Sequence, residues 1–78
     1  MIRKTIKLVI TFYTTTEAMA MEQACKKEGA DGRLIPVPRI ISAGCGLAWC
    51  ANVESEGALR ALMDKQGIVC QEIHTCLV

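Results

Sequence analysis

Seventy-eight residues, 51% of them apolar and 22% charged, suffice for one small domain with a core of its own and exclude a disordered or low-complexity chain. A formal net charge of +1 leaves no broad basic surface for a phosphate backbone, since Arg3-Lys4 and Lys26-Lys27 are the only adjacent cations; no nucleic acid partner is expected. No apolar run approaches the roughly 20 residues that span a bilayer, and the first residues lack a cleavable secretory pattern, so no membrane association and a cytoplasmic location are expected. Five cysteines are an odd number, no signal peptide accompanies them, and an aliphatic core is available instead, which favours reduced thiols over a disulfide scaffold.

In chain order, residues 6–13 are β-branched and aromatic, with Ile6, Leu8, Ile10 and Phe12 on one face of a strand and the mixed set Lys7, Val9, Thr11 and Tyr13 on the other. That second face could be solvated or could meet another subunit. The run Thr14-Thr15-Thr16-Glu17 reads as a capping box with Thr14 as N-cap and Glu17 reaching back to its amide. It is a helix cap, not a phosphate loop. The helix runs to about Glu28 with Ala18, Met21 and Cys25 on its buried stripe, Met19 and Ala24 beside it, and Gly29 as its stop.

After the Asp31-Gly32 turn, residues 33–37 resume an extended run in which Pro36 cannot donate to a ladder, so this strand belongs at a sheet edge. Residues 38–45 read as a loop and 46–51 as a third strand, with Leu47, Trp49 and Ala51 on one face and Ala48 and Cys50 on the other. Asn52 or Ser55 is expected to cap a second helix that turns Ala58, Leu59, Leu62 and Met63 inward and stops at Gly67. Residues 68–74 read as a fourth strand bulged near Gln71, where the parity of Ile68 and Cys70 changes to that of Ile73, followed by a tail. The order β-α-β-β-α-β predicts an α+β, ferredoxin-like sandwich over residues 1–78: a four-stranded antiparallel sheet in the order 4-1-3-2 with both helices on one face.

The chemistry concentrates in the third quarter of the chain. Cys45 lies between Gly44 and Gly46, which remove the Cβ atoms that would shield its sulfur. Arg39 upstream can favour the thiolate, and Ser42 with the loop amides can hydrogen-bond it. Against this stands an inert small residue in a tight turn. A metal or redox pair of Cys45 with Cys50 is a further alternative, but five extended residues separate the Cα atoms by about 16 Å, and a disulfide needs less than about 7 Å. Cys25 and Cys70 read as core, Cys50 as a small residue on a central strand, Cys76 as incidental, His74 as a solvated strand end, and Met19, Met21 and Met63 as core filler. No cofactor fingerprint and no assembly of nucleophile, base and orienting acid is present, so no cofactor, no metal and no independent catalyst are expected.

The segment ITFYTTTEAMAMEQACKKEGA, the block LIPVPRIIS, and the CGLA that follows, with a capped helix and a last strand after them, resemble the small family of selenium/sulfur carrier-like proteins of bacteria and archaea. The resemblance covers about Lys7 to Ile73. It implies a carrier that holds a persulfide or selenosulfide on Cys45 and meets donor and acceptor proteins. The alternative from another class is a binding or assembly module that dimerises through the open sheet face offered by Lys7, Val9, Tyr13, Ala48 and Cys50.

Overall fold

In the computed structural model, which describes residues 5–41 and 46–77, the elements follow as β1 (Ile6–Thr11), α1 (Thr15–Glu28), β2 (Arg33–Pro36), β3 (Leu47–Ala51), a 3-10 turn (Val53–Ser55), α2 (Glu56–Gln66) and β4 (Glu72–Leu77). The expected residues 1–4, 42–45 and 78 lie outside this description. All three strand pairings are antiparallel, and the sheet order is β2-β3-β1-β4, which is 4-1-3-2 counted from the opposite edge. The fold is therefore α+β, with one four-stranded antiparallel sheet and two helices. Pro36 stands on an edge strand, where its missing N–H breaks no ladder.

β1 runs through the middle and is covered on both faces. Leu8 and Ile10, with Phe12 just beyond the strand, join Trp49, Ala51, Ala18, Met21, Cys25, Leu59, Leu62 and Met63 in the main core, which puts both helices on one side of the sheet. On the other side Val9 packs with Ala48 and Ile41, flanked by Ile35, Val37 and Cys76. The segment after β2 thus folds back over the sheet and covers apolar surface that alternation alone assigns to solvent or to another subunit. Val9 and Ala48 have no exposure and Cys50 has 8%, so these three are not offered to a second subunit as expected. Thr11, also fully buried, satisfies its hydroxyl by donating to the Glu72 carbonyl (3.3 Å) and accepting from the Glu72 amide (3.1 Å).

Helix α1 begins as its sequence dictates, with the Thr14 hydroxyl accepting from the Glu17 amide (3.3 Å), and ends at Gly29 with φ 68°. Glu17 does not close the capping box. Its carboxylate accepts from the Val69 amide (3.3 Å), tying the start of α1 to the segment that leaves α2. Met19 on one flank of the α1 stripe is half-exposed while Ala24 on the other is buried, and Ala58 is exposed rather than inward. Neither Asn52 nor Ser55 caps α2 through its side chain. The Asn52 amide and the Ser55 hydroxyl instead donate to the same carboxylate oxygen of Asp31, at 2.8 and 3.0 Å.

The fourth strand starts later than its apolar residues suggest. After Gly67 the Ile68 amide donates back to the Met63 carbonyl (2.8 Å), and residues 68–71 cross the sheet end until the Gln71 amide reaches the Thr11 carbonyl (2.7 Å). The ladder then runs from Glu72 opposite Thr11 to Leu77 opposite Ile6. What reads as a tail is strand, and the parity change falls in the crossing loop rather than in a bulge. Ile68, Cys70 and Ile73 all still pack against the main core.

Gly32 is the tightest point of the chain. Its φ is 120°, and a Cβ there would run into the Trp49 indole and lie 2.7 Å from the Cys50 carbonyl oxygen. Gly29 and Gly67 also have positive φ, but open space surrounds both. Gly29→Ala and Gly67→Ala are expected to lower stability by about 1 kcal/mol each, and Gly32→Ala by more than about 2 kcal/mol, read from denaturant midpoints. A Gly32→Ala loss no larger than that of Gly29→Ala would contradict the close packing.

Candidate functional site

The candidate site is the connection between β2 and β3. Beyond the last ladder pair, Pro36 opposite Leu47, the Val37 amide donates to the Gly46 carbonyl (3.0 Å), which closes the two ends of the connection on each other. From Val37 the chain makes a four-residue turn in which the Ile41 amide donates to the Pro38 carbonyl (2.9 Å). Ile41, 9% exposed, is then held against Val9 and Ala48. Residues 42–45 are thereby bracketed by two fixed points, a buried side chain before them and a bonded backbone carbonyl after them.

Of the expected site residues, Ser42, Gly44 and Cys45 lie outside the described residues. Gly46 is exposed at the mouth of the hairpin. Arg39 is exposed at the centre of the turn and makes no ion pair among the described residues. The anchoring role of Ile41 was signalled only by an isoleucine pair in a stretch otherwise read as loop.

The other four cysteines are reduced and embedded in the fold. Cys25, 2% exposed, lies in the main core, and burial raises its thiol from 9.0 to about 11. Cys50 is buried on the sheet face away from the helices, paired with Val9 on one side and Arg33 on the other. Cys76 is not in a tail but in β4 opposite Lys7, where burial first and the charge of Cys50 second push its pKa up. Cys70 is half-buried against the main core. His74 is likewise within β4, opposite Val9, with Nε2 2.9 Å from the Glu72 carboxylate. Among the described residues no three His, Cys, Asp or Glu side chains gather as a metal ion would require. Among them, too, no helix is long and apolar enough to cross a membrane.

At the opposite end of the sheet, Asp31 joins elements that the sequence keeps apart. Its carbonyl accepts from the Trp49 indole (3.0 Å) while its carboxylate takes the Asn52 and Ser55 donors. Those bonds, the Asn52 amide first, hold its pKa below the ordinary value. Lys7 Nζ donates to Asn52 Oδ1 (2.7 Å) beside it.

The buried Cys25 makes a pH prediction. Its folded-state pKa is raised, so its contribution to stability is complete below about pH 9 and is lost as pH rises toward about 11, because only the unfolded chain deprotonates in that window. Stability should fall there by up to about 1.4 kcal/mol per pH unit more steeply than in Cys25→Ala, measured by urea unfolding at stepped pH. Equal slopes for the two proteins would count against a buried neutral thiol.

The profile of one protein family, described as "Putative Se/S carrier protein-like", matches residues 7–75, a span that contains every strand but the ends of β1 and β4 and both helices. No curated protein and no solved structure matches the chain. With the matched span taking in the whole β2–β3 connection and its bracketing residues, the chain belongs to the Se/S carrier protein-like family.

Proposed function

We propose that the protein carries sulfur or selenium as a persulfide or selenosulfide on Cys45, between a donor and an acceptor protein. Family membership is the observation that carries this reading. Three features of the chain support it. Cys45 directly precedes an exposed glycine, the connection that holds it is anchored at Ile41 and Gly46, and burial pushes the Cys25 and Cys76 thiols up, away from the thiolate. The same reading takes the sheet and its two helices as a ferredoxin-like scaffold whose task is to hold one connection steady.

The transfer is a thiol exchange. The Cys45 thiolate attacks the outer sulfur of a donor persulfide, the donor S–S bond breaks, its cysteine leaves as a thiolate, and the outer sulfur remains on Cys45 in a new S–S bond. No external oxidant or reductant is needed, because the sulfane sulfur keeps its oxidation state. Arg39 favours the attacking thiolate and the later persulfide anion, Ser42 can donate to either, and Gly44 and Gly46 leave the sulfur open to the approaching group.

Incubation with a cysteine desulfurase and cysteine, followed by mass spectrometry without reductant, should show a sulfur-sized increment that is lost in Cys45→Ser. Absence of the increment from the unmodified protein, or its survival in Cys45→Ser, would sink the carrier reading.

A further inference from the structure

Ile40 and Ile41 are neighbours of one residue type with opposite fates. Ile41 is 9% exposed and fixed on the sheet, while Ile40 is 79% exposed, more than any other large apolar side chain among the described residues. Arg39 and Ile40 are the two central residues of the turn closed by the Ile41 amide on the Pro38 carbonyl. The turn is stiffened by Pro38, which fixes its own φ, and pinned by the Ile41 side chain, so what it displays is preorganised. It displays one aliphatic side chain and one guanidinium without a carboxylate partner among the described residues.

We propose that the Arg39-Ile40 turn is the docking contact for the sulfur-donor protein, whose complementary surface is an apolar recess rimmed by carboxylates beside its own persulfide cysteine. This rests on the carrier reading. Transfer requires the two sulfurs to approach within about 2 Å, the length of the bond that forms. Ile40 lies five residues from Cys45, so their Cα atoms are at most about 18 Å apart. A standard interface covers about 800 Å² per partner, a disc about 32 Å across, so one interface is wide enough to take in both Cys45 and the turn. Arg is among the residue types that concentrate binding energy in such patches, the exposed Ile40 beside it offers an aliphatic anchor for a recess, and the charge selects an acidic rim.

A second exposed apolar side chain belongs to the same region. Thr11 pairs with Ala48, and Pro36 with Leu47, so the end of β1 that leads into Tyr13 is the end from which the connection leaves. Tyr13 is 57% exposed. Ile6 and Leu77, 62% and 59% exposed, face each other at the far end of the β1–β4 ladder and supply the control surface.

The test compares the unmodified protein, Ile40→Glu and Ile6→Ser in two assays: kcat/KM for loading by a cysteine desulfurase with cysteine, and the rate at which iodoacetamide modifies Cys45 with no donor present. Ile40→Glu should load at least tenfold more slowly, be alkylated within twofold of the unmodified rate, and sediment as the unmodified protein does, while Ile6→Ser loads normally. Normal loading of Ile40→Glu, or an equal loss in Ile6→Ser, overturns the proposal and leaves the carrier reading standing. A change of oligomeric state in Ile40→Glu also overturns it, assigning the surface to a second copy. If the unmodified protein takes up no sulfur, the carrier reading itself fails and the docking proposal with it.

Discussion

The packing of Ile41 against Val9 and Ala48 is the contact on which the functional arrangement depends. Without it the face of the sheet opposite the helices would expose a strip of apolar surface on its two central strands, and the connection after β2 would have no reason to lie down. With it, one side chain shields the sheet and fixes the start of the cysteine-bearing segment. The Val37 to Gly46 hydrogen bond fixes the other end. The same few residues therefore serve both to cover the sheet and to fix the two ends of the connection.

The opposite end of the sheet is organised by a different economy. Asp31 uses one carbonyl and one carboxylate to hold the Trp49 indole, the end of β3 and the turn into α2, and Gly32 beside it lets the chain pass against Trp49 where any Cβ would collide. These contacts lie at the end of the sheet away from the β2–β3 connection.

Much of this was legible in the residues. Alternation in β1 and β3, the threonine cap of α1, the glycine stops at Gly29 and Gly67, and the edge position implied by Pro36 are all local signals, and local signals determined these elements. The illegible parts were those in which distant segments share one group. Glu17 bonds Val69 rather than its own turn, and Asp31 takes the donors that Asn52 and Ser55 were expected to use as caps. Nothing in the spacing of residues 17 and 69, or 31 and 55, reveals such pairs. Residues 68–70 look like strand by propensity, yet the Ile68 amide is held by the Met63 carbonyl and the Gln71 amide by the Thr11 carbonyl, so they serve as the link from α2 to the end of β1 and the ladder falls on residues 72–77. At the candidate site the sequence singles out the thiol, Arg39 and the glycines as expectations, and of these the described residues place Arg39 and Gly46 in the connection. That Ile41 covers the sheet was not legible, because periodicity ends where the strand does.

The account turns on Cys45 being the reactive thiol among five. Its alkylation by iodoacetamide, followed across pH and resolved from Cys25, Cys50, Cys70 and Cys76 by peptide mapping, tests this most directly. Cys45 should be modified first, with a half-maximal rate below the ordinary cysteine value of about 8.5. Modification of Cys45 no faster than that of Cys50 or Cys76 at every pH would contradict the account.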